Sequence, residues 1–499
     1  MFRNYFKSAI RNLLRSKIYS LINILGLSIG LACCMLIILY NNDEVSFDRF
    51  HKNVANIYRI TTTMTAPDGK IESAFGSTGM MPGPTFKNTI PEVKDFLRLQ
   101  SEQLPIKVEN EVFDQEALYV DSNFFSFFTF PLLAGTKHAV FQNKNSVVVS
   151  ESVAKKLFGT KDAVGRTIEI PAPRSQDNTA SKFQTVTVTG VVPNSPQNSS
   201  INIQMLFPMQ IMAEPDHQWG NFFLNTFVVL PSDVDIKRVE AKFKKIYEST
   251  AATEIIEARE KYNSNTTTNY KLQPFLDMHL NTEFIASNGL TNASNPMYTK
   301  ILGSIALFIL LIASINFVNL SMARSIKRAK EIGVRKVIGG GRSQLIIQFL
   351  GESVLMSLCA FIIAIVLVIS ILPLFNSLSN KALSFSYLLD AKLIAGYVAL
   401  FLLTSLLAGF YPALILSKFN PVQSLYNRMP LSRKNYLSKG LVVLQFALTT
   451  FLIIATITIY SQFTYLQKFD LGYNDKNLVI VNTDMMRPKD VAVFRHELT

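Results

Sequence analysis

Five long apolar runs decide what this chain can fold into. They cover Ile18–Tyr40, Ile301–Ala323, Gln344–Leu372, Ala391–Leu416 and Leu441–Tyr460. Each holds roughly 20 or more mostly apolar residues, and about 20 in a helix cross a ~30 Å hydrocarbon core. A chain of 499 residues that is 48% hydrophobic is too apolar for an ordinary soluble enzyme. Its length alone would allow about three domains. The expected fold is an α-helical membrane protein with five predicted transmembrane helices and an inserted mixed α/β extracytoplasmic domain. A cleaved signal peptide is the rival reading of the first run. That run far exceeds a signal core of about 7–15 residues, and no A-x-A-like site follows it.

The net charge of +13 is unevenly placed. Residues 41–298 hold 24 basic and 28 acidic residues. By contrast, 1–17 carries five basic residues and no acidic one, 324–342 carries seven against Glu331 alone, and 417–440 carries five against none. Cations packed beside membrane spans, around a mildly acidic large domain, follow the positive-inside rule. The three basic segments are therefore cytoplasmic and 41–298 lies on the far side. Nucleic-acid binding would need a basic face on a folded domain, which this distribution lacks. Cys33, Cys34 and Cys359 all fall within spans, so the exported domain must stand without disulfides. It is large enough to do so.

In chain order, 1–17 reads as a cytoplasmic amphipathic helix. Arg3, Lys7, Arg11 and Arg15 recur every four residues beside Phe2, Phe6, Ile10 and Leu13, a pattern that lies among lipid headgroups. The first span, 18–40, leads into the exported domain, 41–298. There the runs Ile57–Met64, Ser146–Val149, Thr185–Val192 and Asn225–Leu230 have strand character. Ser150 is placed as the N-cap of a helix over Glu151–Phe158. A longer helix is expected from Asp233 to about Glu260, with Val234, Val239, Phe243 and Ile246 on its apolar side. Polar Pro171–Lys182 has no periodicity and reads as a hairpin loop or a mobile lobe. Spans 301–323, 344–372 and 391–416 follow, with a short basic helix in 324–343 and a basic linker in 417–440. A fifth span, 441–460, leads into exported residues 461–499. This order repeats the chain's beginning and reads as the start of a second repeat, cut short.

Motifs for chemistry are sparse. GTKDAVGRT, Gly159–Thr167, has five residues between its glycines and Arg166 where a phosphate loop has Lys. It reads as a turn between helix and strand. His51, His138, His217, His279 and His496 are scattered, whereas a metal needs three or four convergent ligands. The G-x-S-x-G string at Gly26–Gly30 lies inside the first apolar run and not on a strand-to-helix turn, so it marks no nucleophile. Neither a metal nor a cofactor is expected, and an enzyme is disfavoured. Glu352 lies about two turns into the third span and is an intramembrane polar candidate. The competing reading sends its carboxylate back to interfacial water or Arg342. The basic stretch Arg324–Ser353, RSIKRAKEIGVRKVIGGGRSQLIIQFLGES, can anchor to lipid headgroups or dock a cytoplasmic partner.

Three stretches resemble the FtsX/MacB-type permeases of ABC transporters. EIGVRKVIGGGRSQLIIQFLGESVL resembles the family's Glu-Ile-Gly-x-Arg-Lys-x-x-Gly-Ala segment, with Gly340 in place of Ala. YPALILSKFNPVQSL resembles its Tyr-Pro-Ala…Ser…Pro-Val-x-x-Leu ending of the fourth span, and VVVSESVAKKLFG…VGRTIEI…VTVTGVV its MacB-like periplasmic core domain. The resemblance implies a multi-pass protein of the bacterial inner membrane that works with a separate cytoplasmic ABC ATPase subunit. Glu331, Gly333, Arg335, Lys336 and Gly339 become the expected ATPase-docking residues. Membrane lipids, a periplasmic adaptor, and a homodimer or tandem-repeat pseudo-dimer are the further implied partners, with efflux, lipoprotein release or mechanotransmission as implied work. A membrane receptor sensing a ligand through the exported domain is the alternative. It normally continues into a cytoplasmic output domain, and the longest cytoplasmic segment expected here is about two dozen residues.

Overall fold

A computed structural model describes residues 11, 16–172, 183–212, 216–262, 265–284, 286–291, 293–338, 341–384, 390–417, 436–470, 472 and 488–498. Two compact units emerge: Met1–Asp43 with Met297–Lys476, and Glu44–Pro296 with Asn477–Thr499. The expected N-terminal amphipathic helix and most of the 417–440 linker lie outside the described residues, as does 173–182.

The first unit is helical. It contains α1 (Lys17–Val45), α2 (Pro296–Val337), α3 (Arg342–Ser379), α4 (Ala391–Ser417) and α5 (Tyr436–Lys468), each long and apolar enough to cross a membrane. Between such helices lipid tails are as apolar as leucine, so close packing and hydrogen bonds hold them together. Gly30 of α1 meets α2 so tightly that a Cβ there would lie 2.8 Å from the Ala313 Cβ. The Tyr397 hydroxyl of α4 donates to the Met35 carbonyl of α1 at 3.3 Å. Small buried residues line α3 (Ser353, Ser357, Ala360, Ala364) and α4 (Ser405, Ala408, Ala413). A Cβ on Gly409 would lie 2.8 Å from the Ser353 Cβ. Gly409→Leu should therefore force α3 and α4 apart, costing about 1–3 kcal/mol of overpacking. A fall in the melting temperature of the detergent-solubilised chain, absent from Gly396→Leu in open space, would register it. The α5 helix touches α2 through Asn319 Nδ2, which donates to Gln445 Oε1 at 3.2 Å, and through Phe308 edge-on to Phe451.

One expectation changes here. The basic stretch after the second span is no separate short helix. It continues α2 without a break to Val337, making 42 residues in all. RSIKRAKEIGVRKV has no proline and is rich in good helix formers, so nothing interrupts the hydrogen-bond ladder. The helix stops just before the Gly339–Gly341 triplet, where backbone entropy opposes it.

The second unit is the mixed α/β domain. Its strands are β1 (Ile57–Thr65), β2 (Ile71–Phe75), β3 (Asp95–Val108), β4 (Glu111–Val120), β5 (Ser146–Ser150), β6 (Thr167–Pro171), β7 (Phe183–Val192), β8 (Met205–Pro208), β9 (Asn225–Val229) and β10 (Thr267–Pro274). They form one sheet in the order β10-β1-β9-β3-β4-β8-β5-β7-β6, with β2 added to β1. The long β3 also pairs with β6 at Lys107 and Glu169, so β3-β4-β8-β5-β7-β6 curls back on itself and the Lys107–Glu169 ion pair sits at the closure. The enclosed core is aliphatic, with Val147, Val149, Ile168, Ile170, Val186, Val188 and Met205 all buried. Helix Glu151–Phe158 starts where Ser150 accepts from the Val153 N–H and ends at left-handed Gly159. Gly159–Thr167 is thus the turn between this helix and β6.

The expected helix over Asp233–Glu260 is two helices, Ile236–Thr250 and Ala252–Tyr262. Thr250 and Ser249 hydroxyls both turn back to the Ile246 carbonyl, a local bond that competes with helix propagation. The first of the pair, with Pro82–Thr89, covers β1, β9 and β10 through Phe86, Val239, Phe243 and Tyr270.

Candidate functional site

Of the docking residues expected from sequence, Glu331, Gly333, Arg335 and Lys336 lie in the last turns of α2. Gly333 is buried in the last turns of α2. Glu331 and Arg335 lie on the same helix, with their side chains outside the described residues, as is Gly339 altogether. Lys336 is the informative one. Its Nζ donates to the Ser417 carbonyl oxygen at 2.7 Å. Arg342, at the start of α3, reaches the Ser417 hydroxyl with Nε at 3.4 Å, and that hydroxyl donates onward to the Leu414 carbonyl. One cation thus holds the final carbonyl of α4 and the other the hydroxyl beside it, where the negative end of a helix dipole favours positive charge. Partial burial and then the Arg342 charge lower the Lys336 pKa. Nothing in the sequence singled out Ser417, since a lone serine before a basic stretch has no distinctive pattern.

Glu352 is 6% exposed, so it does not reach back to water. Gln348, one turn earlier, donates to its Oε1 at 3.4 Å. Close by, Leu345, Phe349 and Ala413 form a small apolar cluster. Its burial places Glu352 between packed helices rather than on a docking surface.

At the other end of α1, the helical unit holds an ion pair that sequence reasoning missed. Lys381 Nζ lies 2.9 Å from Asp43 Oδ2 and 5.6 Å over the Tyr40 ring. Left-handed Asn380 ends α3 and turns Lys381 toward α1. The available signal was Asp43 itself, an acid directly after an apolar run.

Five membrane-crossing helices and a mixed α/β domain inserted after the first define a multi-pass inner-membrane protein with a periplasmic domain. The MacB-like periplasmic core domain matches residues 20–246, and the FtsX-like permease C-terminal domain matches residues 303–421. The chain belongs to the FtsX/MacB-type permeases of ABC transporters. It is 31% identical over 134 residues to the macrolide export ATP-binding/permease protein MacB of Bdellovibrio bacteriovorus, a match covering 27% of this chain and 20% of that one. It is 22% identical over 431 residues to the uncharacterized ABC transporter permease YknZ of Bacillus subtilis, covering 84% of this chain and 98% of that one. Among solved structures, the periplasmic region of MacB from Actinobacillus actinomycetemcomitans aligns at 15% identity with a TM-score of 0.28, over 42% of this chain and 94% of that one. The first MacB match thus spans only a fifth of that relative's length.

Proposed function

We propose that this chain is the membrane subunit through which a separate cytoplasmic ABC ATPase moves the periplasmic α/β domain. The observation that carries this reading is the clasp at Ser417. Lys336 of α2 and Arg342 of α3 grip the end of α4, so one push on the α2–α3 turn reaches three helices. A rigid continuation of α2 to Val337 makes that turn a lever rather than a slack loop. Glu331, Gly333, Arg335, Lys336 and Gly339 form the docking stretch in this reading. The remaining cations of the turn are suited to lipid headgroups. The MacB relative is named as an ATP-binding/permease protein, whereas no phosphate-loop sequence occurs in this chain. In this reading the ATPase is another subunit.

Capture of the full chain in mild detergent from its own cells should bring down a P-loop ATPase. Charge reversal at both Glu331→Arg and Arg335→Glu should cut its recovery at least tenfold while leaving the chain folded. Wild-type chain recovered without any ATPase would defeat the proposal.

A further inference from the structure

The α/β unit begins at Glu44, in the last turn of α1, and hands the chain on to α2 at Pro296. Within that unit, the entering and leaving segments are tied together. Glu44 Oε2 lies 3.3 Å from His279 Nε2, and the two side chains are 2% and 3% exposed. The Phe47 ring stacks on the imidazole at 3.4 Å between centroids and 4° between planes. One turn further, Asp48 accepts from both the Ser200 N–H and the Ser200 hydroxyl, and the Asp48 N–H donates to the Asn198 carbonyl. The Ser200 carbonyl in turn accepts from the Thr291 N–H, and the Ser294 N–H donates to the His279 carbonyl. Glu44, Phe47, Asp48, Asn198, Ser200, His279, Thr291 and Ser294 are thereby laced into one knot.

A buried carboxylate–imidazole contact is a poor way to gain stability, because desolvation of the two polar groups offsets most of the attraction. Breaking it is different, since each group would lose a polar contact out of reach of water. Such a pair resists separation far more than it stabilises the fold, a property suited to a point that bears load. Without it, the two segments would still be joined through Asp48, Ser200 and Thr291, but one turn further along the chain, where displacement of α1 is already partly absorbed.

We propose that Glu44, Phe47 and His279 are the positioning residues that deliver motion of α1 to the α/β domain. This rests on the ATP-driven coupling proposed above, and its test separates the two. Full-length chain would be reconstituted in lipid nanodiscs with the ATPase subunit captured alongside it. ATP-induced changes in amide hydrogen exchange across the α/β domain would then be compared between variants. Glu44→Gln and His279→Gln should reduce the amplitude of those changes at least fivefold, with ATPase binding intact. The exchanged pair, Glu44→His with His279→Glu, should recover half or more of it. Emission from Trp219, the chain's sole tryptophan and buried in this domain, reports whether each variant is folded. If a single variant is unfolded, the exchanged pair decides alone. Wild-type amplitude in both folded single variants, or a folded exchanged pair without recovery, overturns the proposal. No ATP response in the wild-type chain would instead defeat the coupling reading beneath it.

Discussion

Phe128→Ala should cost the α/β domain about 4 kcal/mol, the middle of the range for deleting a buried aromatic ring. Phe128 is fully buried and its ring meets those of Phe124, Phe127, Phe130, Phe227, Phe275 and His51. The neighbours arrive from the helical turn at Phe124–Phe127, from β9 and from the segment after β10, so they cannot close over the hole together. A domain stable by about 5–15 kcal/mol loses a large share of that to one such cavity. The unfolding midpoint in urea, followed by Trp219 emission, measures the loss. Phe75→Ala supplies the contrast: that ring is exposed and stacks on Phe222, so its removal should cost under about 1 kcal/mol. Equal midpoints for the two variants would mean that the aromatic cluster is not close-packed.

That cluster also shows what sequence could and could not convey. NFFSFFTF, Asn123–Phe130, is visibly apolar, yet no spacing announces that β9 and the start of the exit segment converge on it. The five membrane helices were legible because length and composition alone specify them, whatever they pack against. Ser150 was legible because an N-cap is a local event. The hairpin of β3 and β4 was not. Glu102, Gln103, Lys107, Asp114 and Glu116 break up its apolar alternation, and its length is sustained by pairing with β9, β8 and β6. Charge located the basic stretch and its residues favour a helix, but no spacing announced that this helix continues α2 without a break to Val337. Glu44 and His279 stand 235 residues apart, and only the closed fold makes them partners.

Asp48 and His51 should oppose each other in acid, leaving the wild-type domain far less pH-sensitive than either single variant. Burial pushes the Asp48 carboxyl from 3.8 up to about 6, despite the Ser200 hydrogen bonds and the His279 charge that pull it down. Between those values the folded chain keeps a proton that the unfolded chain has released, so stability falls as pH rises. Burial pushes the His51 imidazole from 6.5 down to about 4, and its Nδ1 accepts from the Thr129 N–H, which suits the neutral ring. There the unfolded chain holds the extra proton, so stability rises with pH. Each shift is worth about 3 kcal/mol, and the two windows overlap from about pH 4 to 6 with opposite signs. Asp48→Asn should therefore expose the histidine alone, losing about 3 kcal/mol as pH falls from 6.5 to 4. His51→Asn should expose the aspartate alone and gain a similar amount over the same interval. Urea unfolding at pH 4.5 and 6.5, read from Trp219, gives the three slopes, and all other titrating groups enter them equally. Parallel slopes in the two variants would refute the compensation. Opposite slopes would show that the segment beside the entry of the domain is held together across the pH range of an exposed compartment by two buried groups whose penalties cancel.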